Sequence, residues 1–245
     1  MRCQPRGDKS VYIWLKNEQP CLLCDEVSDG PLDLCSACEA ELPWLGGQCL
    51  ICALPLPTTG LVCGACLNKP PAFTRVEAAW RYGFPVDALI TRFKHQAQWP
   101  LGRLLGDLLS HHLHHAFSEG LEPAQLLLPV PLARQRLRQR GFNQAQMLAH
   151  WLGQRLQLPV AEHLLQRTQD TPAQQQLSAI QRKRNLRQAF RLSDPAAVAG
   201  RHLALVDDVL TTGATAEALA RLLKKAGAAR VDIYCLARTP KPGEH

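Results

Sequence analysis

A chain of 245 residues, 46% hydrophobic and 20% charged, holds enough material for one well-buried α/β core and a smaller appendage. No apolar run approaches the roughly 18–20 residues of a membrane span, and the segment before the first cysteine pair lacks the apolar core of a secretory signal, so a cytoplasmic protein is expected. The net charge of +7 is local: residues 131–194 carry 11 Lys and Arg against 3 Asp and Glu, and the remainder carries 17 against 18, a bias that suits a phosphorylated substrate or a nucleic acid.

Eight cysteines come first in chain order, as four C-x-x-C pairs: Cys21/Cys24, Cys35/Cys38, Cys49/Cys52 and Cys63/Cys66. Their first members are 14 residues apart. Without an export signal the thiols stay reduced, which argues against disulfides. Each C-x-x-C turn points two sulfurs at one tetrahedral centre, and two turns complete a Cys₄ site. The spacing therefore predicts two closed structural zinc centres with no open coordination position. Sequential and interleaved pairings both satisfy it. A redox C-x-x-C needs a single pair on a βα unit, and four pairs in a Gly- and Pro-rich segment lack that setting. The segment has little apolar core, and each centre can add on the order of 10 kcal/mol to its folding. Residues 1–70 are read as this zinc-ribbon region and 71–245 as a second domain. Cys3 falls in the N-terminal tail, and Cys235 sits in an apolar strand, where a thiol acts as a small hydrophobe.

LNKPPAF (67–73) is poor helix or strand material and reads as a linker. TRVEAAWRYG (74–83) alternates like a strand, and residues 84–96 and 100–117 carry apolar positions at helical spacing. QLLLPVP (125–131) fits a buried parallel strand, a helix is predicted from Gly141 to Leu156, and HLALV (202–206) is a second buried strand. AEALARLLKKAG (216–227) and RVDIYCLA (230–237) give a helix and a closing strand. This alternation predicts an α/β fold with a parallel sheet between helices. His111, His114 and His115 share a helix face, and with no carboxylate or cysteine to complete a metal set they read as solvated.

LALVDDVLTTGAT (203–215) carries the sharpest signal. Ligands of parallel sheets sit at the carboxyl ends of the strands, where HLALV delivers Asp207 and Asp208. Thr211, Thr212, Gly213, Ala214 and Thr215 then turn into a helix whose N–H groups and dipole favour a phosphate. Carboxylates beside such a cradle suit ribose hydroxyls, so the pattern fits a sugar phosphate. Upstream, Arg134, Arg136, Arg138 and Arg140 crowd into seven residues, a set able to make charge-assisted contacts to phosphate oxygens. Asn143 follows as a candidate helix cap or ligand contact.

The 203–215 stretch resembles the 5-phosphoribosyl-1-pyrophosphate (PRPP) motif of type I phosphoribosyltransferases. Together with LLLPVPLARQRLRQRGFNQAQ (126–146), QRTQDTPAQQQLSAIQRKRNLRQAF (166–190) and the cysteine region, it makes the chain similar to the ComF family of competence proteins, in particular its GntX-like branch linked to DNA utilisation. The resemblance implies a type I phosphoribosyltransferase-like domain over 71–245. It implies that Asp207 and Asp208 contact the ribose and that Thr211–Thr215 hold the 5-phosphate. Arg134 and Arg140, on a loop after the 126–130 strand, would hold departing Mg²⁺-bound pyrophosphate. Arg167 would open a flexible catalytic loop reaching Ser178. The basic cluster Arg182, Lys183, Arg184 and Arg187 becomes a candidate surface for single-stranded DNA, and a helicase-like competence protein a candidate partner. Two functional classes stay open: phosphoribosyl transfer from PRPP to an unidentified acceptor, or a DNA-handling adaptor that keeps the PRPP pocket as sensor or relic. Glutamine-dependent amidophosphoribosyl transfer is disfavoured, because Cys3 lies behind Met1 and Arg2 and the zinc-ribbon region occupies the place where a glutaminase domain would stand.

Overall fold

The computed structural model describes residues 19–28, 30–168 and 189–241. The chain divides into two compact units, Met1–Glu41 and Leu42–His245. In the first, a bridge between Pro20 and Val27 closes the first cysteine turn, and helix α1 (Ser36–Ala40) follows Cys35. Ser28 Oγ donates to the carbonyls of Leu32 and Leu34, which fixes the loop between the two cysteine pairs.

The second unit begins with the other cysteine region. A Gln48–Pro55 bridge and helix α2 (Gly64–Asn68) frame it. Cys49, Leu54, Cys63 and Cys66 form a small buried cluster of their own. Ala53, with Ile51 and Cys52 beside it, instead packs into the main core. This ribbon is thus anchored in the sheet domain by apolar side chains.

Four parallel strands make the sheet: β1 (Arg75–Arg81), β2 (Leu126–Pro129), β5 (His202–Leu210) and β6 (Arg230–Arg238), in the order β1-β6-β5-β2. Short strands β3 (Leu165–Arg167) and β4 (Phe190–Leu192) pair antiparallel outside it. The main strands are almost continuously buried, as their unbroken Leu, Val, Ile and Ala runs require of a sheet covered on both faces. Helices α3 (Val86–Gln96) and α4 (Trp99–Ser118) follow β1, α6 (Gln144–Leu156) follows β2, and α7 (Ala214–Lys225) follows β5. Leu105, Leu108, Leu109 and Leu113 of α4 and Leu148 and Leu152 of α6 are all fully buried, and these two helices pack on one another.

Three expected boundaries move, each for a physical reason. The arginine-rich stretch is a helix, α5 (Arg134–Arg140), rather than a loop: Arg, Gln and Leu are good helix formers and no Gly or Pro interrupts them. It stops at Gly141, whose φ of 82° is left-handed and whose N–H donates to Leu137 O. The following helix starts at Gln144 with Asn143 as its cap, the side-chain oxygen accepting from Ala145 N at 3.1 Å. Finally, β5 continues through Asp207 and Asp208 to Leu210, and α7 begins at Ala214. The aspartates are therefore in the strand rather than beyond its end.

His111, His114 and His115 are exposed as expected, whereas His112 turns inward with Nε2 3.5 Å from the buried Glu77 carboxylate. None of the described helices is long and apolar enough to cross a membrane.

Candidate functional site

The candidate site is the corner where β5 runs into α7. Thr211 and Thr212 are exposed, and Gly213 takes a φ of 72° to cap the helix. A side chain at 213 would have open space around it, so only the left-handed backbone asks for glycine there. Thr212 Oγ1 accepts from Ala214 N at 3.4 Å, and Glu217 N returns to Gly213 O at 2.8 Å, which closes a compact turn. The N–H groups of a helix's first turn have no partner within the helix and point outward from its start.

The two aspartates are held differently. Asp208 is only 5% exposed and pairs with Lys94 Nζ from α3 at 2.7 Å. Asp207 is half-buried, and burial together with the neighbouring Asp208 carboxylate pushes its pKa up to about 8. Asp207 Oδ1 accepts from Asp208 N at 2.9 Å and Asp208 Oδ1 from Val209 N at 2.6 Å, so local backbone bonds orient both carboxylates. A buried acid that holds its proton near neutrality can donate as well as accept, which suits sugar hydroxyls.

Beside this pair opens a cleft of about 500 Å³ lined by Lys94, His95, Ala97, Arg136, Gln139, Arg140 and Phe142. Arg136 and Arg140 lie one helical turn apart on α5 and share the cleft, an i,i+4 relation. Arg140 donates to Gln144 Oε1, feels the attraction of Asp208, and has its pKa lowered by burial and by Arg136. Arg134 and Arg138 are not among the lining residues. Arg167 of β3 lies with its guanidinium 5.5 Å from the Phe190 ring. Arg182, Lys183, Arg184 and Arg187, and the loop from 169 to Ser178, lie outside the described residues.

The cysteines form two clusters, Cys21, Cys24, Cys35 and Cys38, and Cys49, Cys52, Cys63 and Cys66, with all four sulfurs of each within 4.8 Å of one another. Pairing is sequential, first turn with second and third with fourth. The Cys24–Cys35 and Cys52–Cys63 sulfur separations are both 3.7 Å. Thiolates around a tetrahedral zinc with bonds of about 2.3 Å would stand about 3.8 Å apart, so the donor sets fit that ion. Burial raises the Cys49 thiol, but backbone hydrogen bonds, led by that from Cys63 N at 3.3 Å, outweigh it and bring the pKa to about 7. No described cysteine is in a disulfide.

Residues 140–245 match the phosphoribosyl transferase domain family, and residues 18–67 match the double zinc ribbon domain family. The DNA utilization protein YhgH of Escherichia coli K12 is 38% identical over 221 residues, 89% of this chain and 96% of that protein. Competence protein F of Haemophilus influenzae is 34% identical over 210 residues, 84% of this chain and 90% of that one. The chain belongs to this competence and DNA-utilization (ComF) family. Among solved structures, a purine phosphoribosyltransferase from Pyrococcus horikoshii covers 58% of this chain and 74% of its own at 22% identity, with a TM-score of 0.33.

Two residues at the corner escaped the sequence reading. Lys94 interrupts the apolar stripe Val86, Ile90, Phe93 of α3, four residues after Ile90, so a charge on the buried face was the available signal. Arg238 ends the apolar run of β6 and is 8% exposed, with its guanidinium Nε on Cys52 O at 2.9 Å and Nη1 on Leu210 O and Thr211 O at 3.0 and 2.6 Å. A cation at a strand's end gives no hint of that reach across the fold.

Proposed function

We propose that the chain binds PRPP at the β5–α7 corner. The 5-phosphate would take the Thr211–Thr215 turn, the ribose hydroxyls would take Asp207 and Asp208, and the pyrophosphate would take the cleft side, with Arg140, Arg136 and Lys94 as its cations. The observation that carries this reading is the placement of an acidic pair between two sites for anions, a helix-start turn and a three-cation cleft. A metabolite with a phosphate at one end, a pyrophosphate at the other and hydroxyls between matches that order of charges. Mg²⁺ would accompany the pyrophosphate and neutralise part of its charge. The chain's own residues would orient C1: Asp207 and Asp208 hold the ring, and the guanidinium groups stabilise negative charge on the leaving oxygen. In transfer, the bond from C1 to pyrophosphate breaks as an acceptor's lone pair forms the new bond to C1, and the pyrophosphate leaves with the electrons. The cysteine clusters would each hold one structural zinc ion.

A second reading, a DNA-handling adaptor, is favoured by the names of the relatives and by one feature of the cleft mouth. Trp99 is 54% exposed, and its ring meets that of Phe142 edge-on at 6.4 Å. Aromatic faces beside Arg136, Arg140 and His95 are the ingredients of a single-strand platform. Here PRPP would occupy the corner without turnover, and a helicase-like competence protein would be a partner.

Thermal unfolding with and without Mg²⁺ and PRPP tests the common core of both. At about 100 times its Kd the ligand should add roughly 2.7 kcal/mol, about 5–10 °C for a chain of this size. The double variant Asp207→Asn, Asp208→Asn should show no shift, and a shift equal to the wild type's would refute the assignment. Pyrophosphate release on adding nucleoside, base or DNA acceptors separates the enzyme from the adaptor.

A further inference from the structure

We propose that Arg238 is a positioning residue that makes the anion affinity of the Thr211–Thr215 turn depend on the second cysteine centre; as far as that anion is PRPP, the proposal rests on the reading above. The guanidinium is buried and has no described carboxylate partner. Instead it holds a set of main-chain carbonyls: Cys52 O through Nε at 2.9 Å, and Leu210 O, Thr211 O and Thr239 O through Nη1 at 3.0, 2.6 and 2.7 Å.

Each carbonyl fixes more than itself. A trans peptide is planar, with its C=O and N–H pointing opposite ways. Holding Leu210 O on Arg238 therefore aims Thr211 N–H away from it, and holding Thr211 O does the same for Thr212 N–H. These are the first two main-chain donors of the turn. The guanidinium is a rigid planar fork, so its Nε and Nη1 contacts move together. Its Nε contact is to Cys52, whose sulfur belongs to the second cysteine cluster. If that cluster opens, the Cys52 carbonyl shifts and the fork loses one of its anchors. A second tie runs parallel: Ala72 N, just beyond the ribbon, donates to Glu217 Oε2 at 2.7 Å, and Glu217 lies in the first turn of α7. The turn is thus held from the ribbon side at its entry and at its exit.

The test compares wild type with Arg238→Lys, Cys66→Ser and Leu148→Ala. Affinity for Mg²⁺-PRPP is read by titration calorimetry, zinc content by metal analysis, and exchange of the 211–215 amides by hydrogen–deuterium mass spectrometry. Lys keeps the charge and loses the fork. Cys66→Ser breaks the second cluster without removing any of the carbonyls that Arg238 holds. Leu148→Ala makes a cavity in α6 and controls for plain loss of stability. Arg238→Lys should weaken PRPP about tenfold, within the usual range of coupling between sites, with zinc content unchanged. Cys66→Ser should lose metal and weaken PRPP to a similar degree, and both should speed exchange at 211–215. Leu148→Ala should lower the melting temperature and leave affinity and turn exchange alone. Wild-type affinity and exchange in Cys66→Ser would overturn the proposal, as would an equal loss in Leu148→Ala. If Arg238→Lys does not fold, Cys66→Ser carries the comparison alone. If wild type does not bind PRPP at all, the ligand assignment fails, and the exchange of the turn still decides the coupling.

Discussion

At the amino-terminal ends of β5 and β6, Asp232 is 1% exposed and fully matched: His202 Nε2 lies 2.9 Å away, and Arg230 approaches with Nε at 3.1 Å and Nη2 at 2.9 Å. At the carboxyl-terminal end of β5 the arrangement inverts. Two carboxylates sit side by side with Lys94 as the ion-pair partner of one, and the other has its pKa pushed up to about 8 by burial and by its neighbour. The same sheet thus buries acids in two ways. Where charge is paired by the protein, the groups serve the fold. Where charge is crowded and left only partly matched, the fold bears a cost that hydroxyl donors of a ligand such as the one proposed above would relieve.

The largest effect that could break this contrast comes from the matched end. Asp232→Asn should take the carboxylate from His202, leave Arg230 only the exposed Glu122 carboxylate at 3.6 Å, and cost about 3 kcal/mol, readable as a lower denaturant midpoint, while the affinity for Mg²⁺-PRPP stays at the wild-type value. A large change in affinity would mean that the two ends are not separate in role. Next in size is the Lys94 pair. Lys94 is about one-fifth exposed, so water repays part of its loss, and Lys94→Met should cost about 1–2 kcal/mol. In combination with Asp208→Asn the penalty should shrink, because the uncompensated carboxylate is gone. Full additivity in that double-mutant cycle would show that the 2.7 Å contact carries no coupling.

How much of this was legible beforehand follows from which interactions are local. The parallel strands and the core helices were readable because Leu126–Leu128, His202–Val206 and Leu101–Leu109 announce burial by composition and period alone. The cysteine clusters were readable because their chemistry is fixed by spacing, although only the fold chose sequential pairing. The turn at 211–215 was legible because glycine and hydroxyls next to a helix start have few other uses. Arginine helix α5 was misread because phosphate-binding context suggested a loop while residue propensity favoured a helix. Lys94 and Arg238 stayed hidden because their partners are 114 and 186 positions away in Asp208 and Cys52, and no local pattern encodes a contact that only the closed sheet creates.

The smallest and most specific effect concerns proton uptake at Asp207. Its ordinary pKa of 3.8 is raised to about 8, first by burial and then by Asp208, against the opposing pull of Lys94 and a backbone hydrogen bond from Asp208. The unfolded chain gives up this proton near pH 4, while the folded protein keeps it until about pH 8. Stability from this group is therefore complete below the lower value, falls as pH rises between the two, and levels off above the higher one. Asparagine cannot ionise, so Asp207→Asn escapes the loss. The gap between variant and wild type should be smallest near pH 4 and should widen as pH rises, the variant standing several degrees ahead by pH 9, since about 1 kcal/mol moves a chain of this size by roughly 2–4 °C. Asp208→Asn should narrow that gap by removing the neighbouring charge, yet not close it, because burial comes first among the causes. A pH-independent difference between Asp207→Asn and wild type would place Asp207 in contact with water, and the unmatched end of the sheet would then hold one strained acid fewer than the contrast requires.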